Sequence, residues 1–142
     1  MPRLDLKPRD PYPFSCELVV RTTDLNYGGH LGNDRLLALL HEARVAFLGA
    51  YGWSEMDCAG VGLIMSDAAI VFRAEAFAGD VLHIEVAPFA ASRAGFRLSY
   101  RATRQADETL IALAESGLAC FDYAARQVVP LPDRIREICQ ES

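Results

Sequence analysis

The stretch Thr23 to Trp53, TDLNYGGHLGNDRLLALLHEARVAFLGAYGW, joins a polar, glycine-rich loop to the only long helical pattern in the chain. The loop carries Asp24, Asn26, Tyr27, Gly28, Gly29, His30, Gly32 and Asn33, more polar and conformationally special residues than a plain connector needs. It is therefore the candidate active-site loop. Leu36, Leu37, Leu39, Leu40, Ala43, Phe47 and Leu48 follow at three- and four-residue steps, which predicts a helix with a buried face. Asn33 is placed to cap that helix, and Asp34 sits in its first turn, where a carboxylate meets the positive end of the dipole. The spacing predicts helix from about Asp34 to Ala50, stopped near Tyr51-Gly52.

Before the loop, residues 1–13 are proline-rich and aperiodic and read as an extended arm, and Phe14 to Thr22 alternates as a strand does. After the helix, Ser54 to Gly62 reads as a loop, and the period then becomes strand-like. Leu63 to Arg73, Asp80 to Ala90, Arg93 to Arg104 and Thr109 to Tyr123 are four candidate strands. Gly79-Asp80, Ala91-Ser92 and Ala106-Asp107-Glu108 separate them by intervals short enough for hairpins, so a meander is expected. Asp133 caps a short final helix, RIREICQ. One sheet face needs covering and one long helix is available to cover it. The economical arrangement is α+β, a five-stranded antiparallel sheet curled around the helix, with its outer face and edges open to a second subunit.

Length and composition fit one domain, residues 14–142 behind the arm, with 51% hydrophobic and 23% charged residues. A net charge of -5 argues against nucleic acid as partner, because neutralising phosphates needs a basic face. Cys16, Cys58, Cys120 and Cys139 are scattered without a CxxC, so no metal site and no redox pair is expected, and no cofactor is called for. The N-terminal residues lack the apolar run of a signal peptide, and no stretch approaches the ~20 apolar residues that span a bilayer. A cytoplasmic protein is expected.

The residues Asp24, Gly29, His30, Leu31, Asn33 and the Glu42-Ala43-Arg44 run resemble the pattern D-x-D-x-x-G-H-V-N-N, then E-A-R within a helix, of the hot-dog-fold acyl-CoA thioesterases, specifically the 4-hydroxybenzoyl-CoA thioesterase-like group. The strand order and the Gly79-Asp80 turn also look like that family, so the resemblance covers nearly the whole chain after residue 14. It implies an acyl-CoA thioesterase releasing a fatty or aromatic acid and CoA, assembled as a homodimer or a dimer of dimers. One position departs. The second aspartate of the pattern, usually taken as catalytic, falls on Asn26. The series Asp24, Asn26, His30 is instead similar to plant acyl-carrier-protein thioesterases, and Glu42 looks like the helix carboxylate of another hot-dog branch.

Thioester hydrolysis needs a polarised carbonyl, an activated water or nucleophile, and a channel for the acyl-pantetheine chain. Unpartnered N–H groups at a helix N-terminus can supply the first, which nominates Gly29 and His30. Glu42 and Asp24 are the candidates for the second, with Asn26 orienting water or substrate through its amide. Tyr27 and Arg93 are candidate substrate contacts, Arg93 (with Arg97) for the phosphates of CoA. Against each stands a plain structural role: a surface glutamate, a turn aspartate, an exposed arginine. His41 and His83 carry nothing beyond residue type. A hydratase would need a placed His-Asp dyad, and the loss of the aspartate at Asn26 leaves room for a non-catalytic acyl-thioester-binding protein.

Overall fold

In the computed structural model, which describes residues 4–141, β1 (Phe14–Val19) leads through a single 3-10 turn, Thr22–Asp24, into the loop and helix α1 (Asn33–Gly49). Then come β2 (Gly62–Phe72), β3 (Val81–Phe89), β4 (Gly95–Arg104), β5 (Leu110–Asp122), the two-residue β6 (Gln127–Val128) and helix α2 (Asp133–Glu141). Apart from the 3-10 turn and β6, which the sequence reading did not include, each element falls within a few residues of its expected place. The helix starts one residue early because Gly32, in extended conformation, occupies the cap position expected of Asn33.

All strand pairs are antiparallel, in the order β1-β3-β4-β5-β2, with β6 adding to β5. The meander expectation holds for β3, β4 and β5 and fails for β2. Residues 73–80 are not a hairpin: they cross from the β2 edge to β3, on the other side of the sheet. Gly79 N–H donates to the Val20 carbonyl (2.8 Å) and Val20 N–H to the Asp80 carbonyl (2.9 Å), pinning the crossing segment to the end of β1. Consecutive strands are neighbours only about two thirds of the time, and nothing local in a short connection records which rule applies.

Register places Leu82, Ile84 and Val86 of β3, Leu98 and Tyr100 of β4 and Ala114 and Leu118 of β5 on one face. Against that face α1 buries Leu36, Leu39, Leu40, Ala43, Phe47 and Leu48. Each large side chain taken out of water there contributes about 1.5–3 kcal/mol. Phe14 meets Phe47 edge-on with ring centroids 5.8 Å apart, tying β1 to the helix. Arg44 is the charge in this packing. Its Nε donates to Glu55 Oε2 (3.3 Å) and its Nη1 to the Tyr100 hydroxyl (3.3 Å), which shares a hydrogen bond with Ser116 Oγ (2.8 Å).

The opposite side of α1 is uncovered. Leu37, expected in the core, is 40% exposed, and Val45, His41 and Glu42 are exposed beside it. The edge strand β2 likewise presents Ile64, Met65 and Phe72 to solvent. The extended arm crosses the outer face of the sheet, where the Tyr12 and Ser99 hydroxyls share a hydrogen bond (3.2 Å) and Arg101 lies over the Tyr12 ring. Positions 1–3 of the expected arm lie outside the described residues. Among the described residues no helix is long and apolar enough to cross a membrane.

Where β4 enters the sheet, a Cβ on Gly95 would come 2.6 Å from the Leu118 carbonyl oxygen, whereas one on Gly49 meets nothing within 4 Å. Urea denaturation should therefore find Gly95→Ala destabilised by about 1–3 kcal/mol, as overpacking against backbone requires. Gly49→Ala should be neutral or stabilising by a few tenths to about 1 kcal/mol through helix propensity.

Candidate active site

The loop between β1 and α1 is locked before it is functional. Arg21 donates to Asp24 Oδ2 from its backbone N–H (2.8 Å) and Nε (3.2 Å), and to Oδ1 from Nη2 (3.1 Å). The Asp24 carbonyl accepts the Gly32 N–H (3.0 Å), closing the loop at the mouth of the helix. Asp24 is 1% exposed, and the guanidinium beside it holds its carboxyl below the usual carboxylate range. Asp24 was expected to activate water; here both of its carboxylate oxygens accept from Arg21, and it does not line the cleft beside Asn26 and His30.

Inside that lock, Asn26 organises a tight turn. Its N–H donates to the His30 carbonyl (2.9 Å), its carbonyl accepts from Gly29 (3.1 Å), and its Oδ1 accepts from Gly28 (2.9 Å). Gly29 supplies the φ of +79° that closes the turn. The same closure engages the Gly29 amide, expected as an oxyanion donor, with the Asn26 carbonyl. The His30 amide has no acceptor among the described residues, nor do those of Asn33 and Arg35 in the first turn of α1. The positive end of the helix thus keeps open donors beside the turn.

His30 and Asn33, two of these three residues, border a cleft of about 530 Å³. Asn26, Tyr27, His30, Leu31 and Asn33 line one wall. Phe72 at the end of β2, the crossing residues Arg73 to Ala76, and Ile111 line the other. Leu31 N–H donates to the Ala76 carbonyl (2.7 Å), which fixes the width between the walls. His30 Nδ1 lies 3.4 Å from the Leu31 carbonyl, and Nε2 lies 3.8 Å from Glu75 Oε1. A methyl added to Gly28 would stand 3.2 Å from His30 Nε2 and 3.3 Å from Asn26 Oδ1, so the loop's two polar groups converge on one small space.

The structure therefore brings Asn26, Tyr27 and His30 together and leaves the other sequence candidates elsewhere. Glu42 points outward from the uncovered side of α1, lines no cleft of the single chain, and acts on Arg21 through its charge. Arg93 borders a separate groove with Val128, Val129 and Pro130. Arg97 is taken by Asp67 (2.8 Å) and Glu115 (3.3 Å). Arg73 and Glu75 in the cleft wall were missed by sequence reasoning, which read their segment as a hairpin. His41 was set aside there as featureless, yet its Nε2 lies 2.5 Å from Glu55 Oε1. Glu55 is fourteen residues away in a loop, so no sequence spacing announces the pair. The cysteines are free, and burial pushes the Cys58 thiol to about 12 and Cys120 to about 11.

Residues 20–138 match the thioesterase-like superfamily, which covers more than half of the chain. The chain belongs to that superfamily and has the hot-dog fold; it is a thioesterase. It is 29% identical over 131 residues to a 1,4-dihydroxy-2-naphthoyl-CoA hydrolase of Synechococcus elongatus, covering 89% of this chain and 95% of the relative. It is also similar to the crystal structure of a 1,4-dihydroxy-2-naphthoyl-CoA thioesterase from Synechocystis, with TM-score 0.80 and 25% identity over 90% of this chain and 96% of that one. A thioesterase-superfamily structure from Jannaschia sp. shares the fold at TM-score 0.82 and 17% identity, over 92% and 83% of the two chains.

The Arg21–Asp24 lock carries a pH signature. Because the folded state lowers the Asp24 carboxyl, its stabilisation is complete above the ordinary carboxylate range and is lost as pH falls through the lowered value. Acid titration should show wild type losing this component below about pH 4, while Asp24→Asn is less stable at neutral pH and converges on wild type as acid is added.

Proposed function

We propose that this enzyme hydrolyses an aromatic acyl-CoA, and that the cleft beside Asn26 and His30 holds the thioester. The observation that carries the reading is the unpartnered His30 amide at the opening of α1, backed by the amides of Asn33 and Arg35. Charge developing on the thioester oxygen would meet preset donors at the positive end of a helix, a term that costs about 3 kcal/mol when one donor is lost. Tyr27 and Phe72 flank these donors, with Leu31 and Ile111 behind. Flat aromatic faces of this kind suit an aryl group better than a long alkyl chain, which needs a deep apolar tunnel. The two 1,4-dihydroxy-2-naphthoyl-CoA relatives favour the same class. Asn26 orients the substrate or water with its carboxamide, and Arg73 in the cleft wall is a cation available to the polar parts of the CoA ester.

The active unit in this reading is a homodimer. β2 is an 11-residue edge strand with one neighbour, and Ile64, Met65 and Phe72 are exposed along it. Pairing two such edges satisfies backbone groups and covers apolar surface in one step. The uncovered face of α1 would then face the second copy, which places Glu42 across the interface from the partner's cleft as the carboxylate of the site. The outer sheet face, which a dimer of dimers would need, is occupied by the arm and by ion pairs such as Glu85–Arg101 (2.7 Å), so a dimer is favoured over a tetramer. A reducing cytoplasm is the location this reading favours, and the four free thiols support it.

A thiol-release assay over aryl- and alkyl-CoA substrates tests the reaction. Aryl thioesters should exceed palmitoyl-CoA by at least roughly tenfold in kcat/KM, and Glu42→Ala should lower turnover about a hundredfold with the fold intact. Saturable binding without thiol release would end the hydrolase reading of this cleft. Ile64→Lys with Met65→Lys should convert a dimer to monomers in light scattering and remove activity with it. Unchanged mass would reject the β2 interface.

A further inference from the structure

We propose that His41 is a catalytic base of this enzyme, held by Glu55, which is itself fixed by the buried Arg44. The inference rests on the proposed dimer and deepens it by naming the group that takes the proton from water.

Three observations support the assignment. The His41 ring is anchored at one nitrogen only. Nε2 is 2.5 Å from Glu55 Oε1, and Nδ1 has no partner among the described residues. With a carboxylate accepting at Nε2, the proton of the neutral ring resides there and the Nδ1 lone pair is left open. The carboxylate is not a mobile surface group either. Its other oxygen, Oε2, accepts from Arg44 Nε at 3.3 Å; the Arg44 side chain is 6% exposed and continues to the Tyr100 hydroxyl and Ser116. A base oriented by a carboxylate that is in turn fixed by a third group is the arrangement that acid-base catalysis requires.

The position of the ring is the third observation. His41 is half exposed on the uncovered side of α1, with Glu42 next to it in sequence and Leu37 and Val45 one helical turn away on either side. A second copy covering this apolar face would bring the open Nδ1 into a site shielded from bulk water. Arg44 alone does not explain the arrangement. Glu55 already neutralises it without help from His41, so the histidine adds nothing to the ion pair beyond its own orientation.

The step balances without any further reagent. His41 Nδ1 removes a proton from water as the water oxygen bonds to the thioester carbon. The tetrahedral oxyanion rests on the His30 amide, and its collapse breaks the C–S bond. The imidazolium returns its proton to the departing CoA thiolate, leaving acid and free thiol. Glu55, bonded to the ring at Nε2, supplies the negative charge that stabilises the imidazolium while it exists.

The test uses the full-length dimer, a good aryl-CoA substrate and added imidazole. His41→Ala should lose about a hundredfold in kcat with KM within threefold, and imidazole should restore at least tenfold of that loss, which a merely structural histidine would not allow. Glu55→Gln should lose less in kcat and gain nothing from imidazole, because its ring is present and only misaligned. Dimer mass and circular dichroism are recorded for every variant, and His41→Gln keeps a polar side chain beside Glu55 if the alanine variant fails to fold. A folded dimer of either His41 variant with kcat within threefold of wild type overturns the proposal. Loss in a folded His41→Ala dimer without imidazole rescue overturns it too, assigning His41 to anchoring Glu55. Absence of thiol release from wild type is a different result, since it removes the hydrolase reading itself.

Discussion

The docking of one side of α1 against the curved sheet sets the position of every group discussed above. Leu36, Leu40, Phe47 and Leu48 are fully or almost fully buried there, and their packing fixes the rotation of the helix about its axis. That rotation in turn determines which residues remain outside. At 3.6 residues per turn, burying Ala43 and Arg44 leaves His41, Glu42 and Val45 on or toward the opposite side. The helix also delivers its N-terminus, where the Asn33 and Arg35 amides have no acceptor among the described residues, to the loop that Asp24 and Arg21 tie together. A single packing event therefore orients the donors at one end of the helix and the ionisable groups along its back.

The single chain is incomplete in a consistent way. Its loop and crossing segment build a cleft that carries donors and a histidine, while the helix carboxylate, Glu42, is exposed on the uncovered side of α1. Its long edge strand presents apolar side chains and unpaired backbone. A second copy is the simplest occupant for both surfaces, because the same residues supply each half of the contact. The polar chain through Arg44 fits this view. A buried guanidinium costs desolvation that Glu55 and Tyr100 offset, and the return is a helix whose outer groups cannot drift.

Several features could be read from the chain in advance. The helix limits, the strands within a few residues and the loop as the polar centre all follow from short-range pattern, since capping, turn chemistry and periodicity act over a few residues. Asn26 and His30 were identified on that basis, and the structure brings both to the cleft. Asp24 was identified as chemistry, and its residue type equally fits a turn. Only the tertiary structure shows Arg21 donating to both of its oxygens. Gly29 was assigned an open amide that the turn it permits consumes.

By itself, then, the sequence determined the fold family, the helix-opening loop and the reaction class, because these depend on local periodicity and on a motif contained in one continuous stretch. The tertiary structure decided the place of β2 at the far edge of the sheet, the second cleft wall of Phe72, Arg73 and Glu75, and the pairing of His41 with Glu55. Those relations join residues from separate elements, and their partners are chosen by how the chain crosses the sheet and how the helix is rotated on it. Neither quantity leaves a trace in the spacing of residues along the chain.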